Sequence, residues 1–457
     1  MSARRTKAED LFFKGTHALS AGDIGRADLY LRQAIDLAPD FAEAYANLAL
    51  VAEKQGAFVS AVCCYQKSIA LNPSIARTHL NLGAFLATQK QFLRAEVSYK
   101  QALMLDASAA VWSNLGVLYA CLKRETDAEH CYRAAIALDA EYQTARFNLS
   151  YLLRRQGRLE EGWQFFEARD WYSALARRLD CPRWRGESLD GKSLLIGFEA
   201  GHGDMIQFAR YAAVLKQRGA RHITMICHPA LRRLFSTLDS VDLVVPFDDA
   251  IPTSGIDFWT PPMSIPFYCG TCVETIPAQL PYLSSLPGEK EKWAQLFQAN
   301  GLRVGLVWKG NPNFENDADR SLSSINVLAP LGNVPGVNFI SLQKGAGEGE
   351  AKCPPAGFAL TDLGSMIEDF ADTAAIIANL DLVICIDTAV AHLSSAMGKP
   401  CWILLPDYKT DWRWFTERND SPWYPGAARL FRQTSTGGWP AVIKTVTKEL
   451  ELFAQTC

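Results

Sequence analysis

The pattern of apolar and polar positions changes character partway along the chain. Up to Tyr172, small and aromatic residues return at helical spacing with a period of 34 residues. Gly15, Ala27, Ala34 and Pro39 set the pattern, and Ala49, Ala61, Ser68 and Pro73 repeat it. Gly83, Ala95, Ala102 and Ala107 come next. Trp112, Leu115, Gly116, Tyr119, Ala128, Tyr132 and Ala135 carry it again, one residue out of phase. Small residues let two antiparallel helices approach closely, aromatics fill the adjoining gap, and Pro39 and Pro73 end the second helix of their repeats. The spacing predicts four helix pairs across Ala8 to Ala140 and a fifth, degenerate pair across Tyr142 to Tyr172. In that last pair, Gly157 and Trp163-Gln-Phe-Phe166 suggest a cap that docks on the next domain.

Beyond a polar, turn-rich junction at Cys181 to Gly191, short apolar runs alternate with helical patterns. Ser193–Phe198, His222–Cys227 and Val241–Val245 read as strands of one α/β unit. Arg303–Trp308, Asn338–Gln343, Leu382–Ile386 and Cys401–Leu405 read as strands of a second. Strands that alternate with helices imply parallel sheets covered on both faces. Two such lobes in tandem make a cleft. The division expected is a solenoid over 1–172, a linker over 173–191, a first lobe over 192–288 and a second over 289–457.

Composition narrows the class. The chain has 457 residues, 49% apolar and 21% charged, with a formal net charge of −3. That balance argues against a nucleic-acid or anionic-membrane surface. No stretch reaches the apolar length of a membrane span. The first ten residues lack a hydrophobic signal core, so a cytoplasmic location is expected. Twelve cysteines scattered through helices and strands fit reduced thiols. Cys269-Gly-Thr-Cys272 stands without a second pair, which favours packed loop thiols over a zinc site.

Two strand-to-helix turns carry the candidate chemistry. In the first, Ser193–Phe198 leads through Glu199-Ala-Gly-His-Gly-Asp204 into a helix read from Met205 to Lys216. Asp204 lies at a strand end beside glycines that leave room for a substrate. It suits a general base and equally suits the helix cap. In the second, an apolar strand stops at Asp387 and a helix starts at Thr388, with Ala389 and His392 within its first turns. Helix N-termini at strand ends favour anions. Thr388 and nearby backbone N–H groups would hold a phosphate. His392, if protonated, would neutralise leaving-group charge; alone, it also reads as a core histidine. Lys309 follows a strand and would pair with phosphate, or would be a solvated loop lysine. Asn311, Arg320 and Ser321 belong to the same loop, the last two within reach of the phosphate, and Gln343 and Lys344 end the next strand, where a nucleotide ribose or base would lie; all five are candidate donor-binding residues. Asp317-Ala-Asp319 matches a metal-holding pattern, but it is short and common in loops, so no metal is expected. The aromatics of Asp411-Trp-Arg-Trp414 and Trp423-Tyr424 read chiefly as packing.

The 34-residue pattern resembles tetratricopeptide repeats, whose concave faces bind peptides or partner proteins; a rigid spacer or dimerisation arm is the plainer alternative. The second half, with Gly201-His-Gly-Asp204, Asp387-Thr-Ala-Val-Ala-His392 and Gly398-Lys-Pro400, resembles GT-B glycosyltransferases, in particular the ADP-heptose:lipopolysaccharide heptosyltransferases. The whole chain resembles bacterial tetratricopeptide-repeat glycosyltransferases, some of which look like flagellin glycosyltransferases. Gly305–Pro312, Ser341–Gly345 and Asp420–Pro425 are further phrases of that group. The resemblance implies an all-α solenoid followed by a two-lobed, Rossmann-like GT-B part. It implies an inverting transfer from a nucleotide-sugar donor to a hydroxyl of a protein, such as flagellin, recruited by the repeats. Asp204 would then be the base, and Asp387, Thr388, Ala389 and His392 would make the donor site, without metal or other cofactor. Heptosyltransferases lack the repeats and carry glycine where this chain has Ala389. A glycan or lipid-linked acceptor, or a non-catalytic scaffold, are the rival readings.

Overall fold

The computed structural model describes residues 3–252, 254–297, 300–434 and 436–456. The chain divides into two compact units, Met1–Leu152 and Leu153–Cys457.

The first unit is a run of paired antiparallel helices. The pairs are α1 Ala3–Ser20 with α2 Ile24–Leu37, α3 Ala42–Lys54 with α4 Phe58–Leu71, α5 Ala76–Thr88 with α6 Phe92–Leu105, and α7 Ala109–Cys121 with α8 Glu125–Leu138. The next helix, α9 Gln143–Arg155, runs across the division. The small positions explain the pairing. A Cβ on Gly83 would come within 2.7 Å of the Tyr99 ring, and one on Gly116 within 2.6 Å of the Tyr132 ring. Each glycine is therefore a socket for a tyrosine on the second helix of its pair. Ala27, Ala61, Ala95 and Ala128 are fully buried at matching positions of the second helices. Packing here is local in sequence and made from small-to-large fits.

The second unit begins inside the fifth helix pair, ahead of the residue 172 read from the sequence. Its α10 (Leu159–Phe166) and α11 (Ser173–Ala176) lead into β1 Ser193–Ile196, α12 His202–Phe208, α13 Tyr211–Gln217, β2 His222–Cys227, α14 Arg232–Phe235, β3 Leu243–Pro246, β4 Phe258–Thr260 and α15 Ile265–Cys269. Trp163 on α10 donates from Nε1 to the Thr271 carbonyl at 3.0 Å, fixing that helix within this unit. The remainder comprises α16 Glu289–Ala294, β5 Leu302–Val307, α17 Asp317–Arg320, β6 Val337–Ser341, β7 Leu360–Asp362, α18 Phe370–Ala378, β8 Leu382–Ile386, α19 Ala389–Ala396, β9 Cys401–Leu405, β10 Ala428–Arg432 and α20 Gly438–Ala454.

The strands form two parallel sheets, ordered β3-β2-β1-β4 and β10-β9-β8-β5-β6-β7. β1 and β8 are internal strands that are buried along their whole length. An interior parallel strand, covered on both faces, needs such a run of apolar residues. Both strands end where a helix begins, which places the two candidate turns at the C-terminal edges of the two sheets. The helix read from Met205 to Lys216 starts earlier, at His202, and is interrupted between Phe208 and Tyr211. Strands β4, β7 and β10 add to those expected from the apolar runs.

Candidate functional site

The turn after β1 is held from below by a buried ion pair. Arg169 donates to both oxygens of Glu199 at 2.6 and 3.1 Å, with neither side chain exposed. The same guanidinium reaches Ser264 Oγ at 2.7 Å. Next to Glu199, Ala200 takes a left-handed conformation, φ 59°. A residue with a Cβ is strained there unless the surroundings hold it. The Asp204 carboxylate accepts from the Gly201 N–H at 2.9 Å, so it caps its own turn. Its other oxygen takes Arg413. The capping reading of Asp204 is thus present together with a charged partner.

The turn after β8 is equally specific. Thr388 stands at the cap of α19 in extended conformation without a side-chain capping bond. Its Oγ1 is buried and has no partner. Such a hydroxyl costs stability unless something hydrogen-bonds it. Burial, reinforced by the facing Asp411, pushes the Asp387 carboxyl up to about 7, against the pull of Arg320, Trp414 and Arg413. Arg320 Nη1 also donates to the Asp387 carbonyl at 3.1 Å. His392 is 5% exposed. Its Nδ1 shares a hydrogen bond of 2.9 Å with the Tyr424 hydroxyl, and its ring stacks on Trp414 at 5.2 Å. Burial, and then the nearby Arg413, push its pKa down to about 3. The expectation of a protonated His392 is corrected accordingly: at neutral pH the ring is a neutral hydrogen-bonding group.

These two turns meet. A Cβ on Gly203 would lie 2.9 Å from His392 Cδ2 and 3.4 Å from the Ala389 Cα. Glycine fits there because the buried His392 ring and the Ala389 backbone of α19 press against α12 at that point. Beside the contact lies Arg413, 7% exposed. It joins Asp204 through Nη2, the Gln207 amide oxygen through Nε, and both oxygens of Asp411 through Nη1 at 3.0 Å. Arg413 in turn holds Asp411 below the usual carboxylate range against its burial. One guanidinium therefore bridges a carboxylate in the first turn of α12, after the first sheet's β1, and a carboxylate that faces the turn of the second sheet. Arg210, also buried, braces the same region by donating to the Trp423 carbonyl and, at 2.9 Å, to the Tyr282 hydroxyl.

Asp204, Asp387, Thr388, Ala389 and His392 are thus gathered at one place, and Arg320 reaches it. The other residues read from the sequence are engaged differently. Lys309 is paired with Glu350, so its ammonium is not the unengaged phosphate partner expected. Gln343 is 1% exposed. Its oxygen accepts the N–H groups of Trp308 and Lys309, both at 2.9 Å, and its nitrogen donates to the carbonyls of Lys309 and Ala346 at 3.0 and 2.7 Å. It ties two loops together and has no side-chain donor left for a ribose, which corrects that expectation. Lys344 lies on the surface, 3.7 Å from Glu348. Asn311 accepts from the Asn313 N–H at 3.0 Å, an ordinary turn contact. Ser321 accepts from the Gly310 N–H at 2.9 Å. Asp317 pairs with Arg320 at 3.1 Å, and among the described residues no group of three or more His, Cys, Asp or Glu side chains is placed to hold a metal.

Sequence spacing does not single out Arg413 and Asp411 for the site. Their one signal is the Asp-Trp-Arg-Trp phrase, whose tryptophans do pack: Trp412 meets Trp163 at 5.3 Å, and both are buried. The arginine between them carries the site's electrostatics.

Fold and repeats together define the class: a tetratricopeptide-repeat solenoid joined to an α/β part with parallel sheets. A family model described as tetratricopeptide repeat matches residues 14–74 and 122–180. Protein FlbA of Caulobacter vibrioides is 28% identical over 340 residues, which is 68% of this chain and 55% of the relative. The chain thus spans little more than half the length of that protein. Among solved structures, pilF of Pseudomonas aeruginosa is 20% identical, covers 48% of this chain and 88% of its own, and has a TM-score of 0.37. A MamA fragment from Desulfovibrio magneticus is 19% identical over 39% of this chain and 99% of its own, with a TM-score of 0.33. Among the described residues no helix is long and apolar enough to cross a membrane.

Proposed function

We propose that the chain is an inverting glycosyltransferase of the GT-B type, using a nucleotide-sugar donor and a protein acceptor held by the repeats. Flagellin is the acceptor that the sequence resemblance suggests. The observation that carries the reading is the meeting of two distant turns, Gly201–Asp204 and Asp387–His392, around Arg413. Each turn suits one half of a transfer reaction, and a single reaction needs both halves in one place.

In this reading Asp204 takes the proton from the acceptor hydroxyl. The hydroxyl oxygen bonds to the anomeric carbon while the bond from that carbon to the donor phosphate breaks, and the nucleotide leaves with the electron pair. Stabilisation of that leaving charge falls to the start of α19, the unpartnered Thr388 hydroxyl and the guanidinium of Arg320. Neutral His392 would contribute a hydrogen bond through Nε2, the ring nitrogen on the Gly203 side. No metal and no further cofactor enter.

The test is nucleotide release from a panel of UDP-, GDP-, CMP-, ADP- and dTDP-sugars by the purified protein. One donor should be turned over, and Asp204→Asn should slow that turnover by about 10²- to 10⁴-fold, the usual worth of a general base. Equal turnover by wild type and Asp204→Asn would remove Asp204 from the chemistry. No turnover of any donor would shift the reading to a scaffold whose α/β part keeps only the shape.

A further inference from the structure

The proposed base, Asp204, is already occupied by Arg413. Each oxygen of the carboxylate already carries one donor, the Gly201 N–H on one and the guanidinium on the other, so an approaching hydroxyl must share an oxygen with one of them. We propose that Arg413 is a positioning residue of the same site that rests on Asp204 until the donor arrives, and then swings to the donor's phosphate. On this view the base is uncovered only when a donor is bound.

The geometry supports this on three counts. Arg413 divides its donors among Asp204, Gln207 and Asp411, so a pivot of the guanidinium about its Asp411 contact can exchange Asp204 while Asp411 keeps the side chain in place. Its Nη1 grips Asp411 through both oxygens, whereas Nη2 on Asp204 and Nε on Gln207 each hold one acceptor, so those two contacts are the ones released together when the planar group turns. Its neighbour Trp414 stacks on His392, which lies one turn along the helix capped by Thr388 and its orphaned hydroxyl, so the guanidinium lies close to where a phosphate would sit. Arginine is the side chain whose planar fork best exchanges a carboxylate for a phosphate. Two carboxylates facing one cation also leave the place electrostatically ready for a further anion only if one carboxylate lets go. The strained Phe415, φ 56°, directly follows this segment and fixes its path.

The exchange rests on the donor reading but fails separately from it. The probes are inorganic pyrophosphate and the nucleoside diphosphate that binds wild type, titrated into wild type, Asp204→Asn, Arg413→Lys and Arg413→Gln. If Asp204 competes with phosphate for Arg413, removing its charge tightens anion binding. Asp204→Asn should therefore bind about 3- to 10-fold more tightly than wild type, a gain near or below 1.4 kcal/mol. Arg413→Gln should bind at least about 10-fold more weakly, and Arg413→Lys should fall between the two. A merely structural ion pair predicts the opposite sign for Asp204→Asn, because its loss would loosen the site. Wild-type binding with equal or weaker binding by Asp204→Asn overturns the exchange while leaving the donor site standing. No binding of any probe by wild type overturns both. Asp204 is on the surface side of the cluster and asparagine keeps its size, so its variant folds; a matching circular-dichroism spectrum and melting temperature confirm that before titration.

Discussion

The two units of this molecule bury different things. In the four-repeat solenoid, the described buried polar side chains are hydroxyls and one imidazole: Ser68, Thr78, His79, Ser98 and Ser113. The α/β unit buries Arg154, Arg169, Glu199, Arg210, Asp372 and Arg413, together with His392. A solenoid assembled from glycine-to-tyrosine sockets gains its stability from shape and apolar area, and a charge inside it would serve nothing. A charge kept out of water is costly unless it is paired. Where a chain carries several, they mark the places that must be positioned to within a bond length. Three of those arginines converge on the β1 turn or on the cluster around it, which is where the sequence placed the chemistry.

The contrast can be broken by mutation. The largest loss of stability is expected from Glu199→Gln, which leaves the buried Arg169 beneath the β1 turn with Glu167, at 2.9 Å, as its remaining carboxylate partner; about 3 kcal/mol should go in urea unfolding. A loss under about 1 kcal/mol would mean the pair is solvated rather than buried. Within the solenoid, Gly116→Val forces a side chain into the Tyr132 ring and should cost about 1–3 kcal/mol, with no change in nucleotide binding. Finding weaker nucleotide binding there would contradict the assignment of the site to the α/β unit. The pH response separates the units further. Asp387 has a folded pKa of about 7, raised from the ordinary 3.8. Between those values the folded state holds the extra proton, so this residue's contribution to stability falls as pH rises from about 4 through 7. His392 works in the other direction: with a folded pKa of about 3 against the ordinary 6.5, it lowers stability as pH falls below 6.5. Asp387→Asn should therefore raise the melting temperature more at pH 8 than at pH 5, and an equal shift at both would show that Asp387 is ionised throughout. The smallest effect is expected at Val59→Ser and Leu93→Ser, where the side chains are 79% and 80% exposed; stability should stay within about 0.5 kcal/mol.

Much of this is legible along the chain. The glycine, alanine and tyrosine spacings reveal the solenoid because its contacts are made within or between adjacent helices. Strands β1, β2, β8 and β9 are legible as unbroken apolar runs. The strands that escape notice have weak local signals: β4 is three residues followed by Pro261-Pro262, and β7 is only half-buried. The candidate site is legible as two turns and illegible as a cluster. Asp204 and Arg413 are 209 residues apart, and nothing in either local pattern names the other. Gln343 misleads for a related reason. An amide at the end of a strand looks available until the fold brings the Lys309 backbone against it. Lys309 itself reads as an exposed cation because its partner, Glu350, lies 41 residues on. Spacing reveals what a segment does for itself, whereas long-range polar partners are revealed only by the fold.

In the proposed reaction the turn at Thr388 holds the donor's phosphate. The direct measurement is a thermal-shift comparison of wild type and Thr388→Val against CMP, UDP, GDP, ADP and dTDP. A ligand that binds only the folded state raises the melting temperature by mass action. One nucleotide class should shift the wild type, and that shift should be lost or greatly reduced in Thr388→Val. The variant should itself be no less stable without nucleotide, since its unpaired hydroxyl has been removed. An undiminished shift in Thr388→Val, or no shift in wild type up to millimolar nucleotide, would contradict that role.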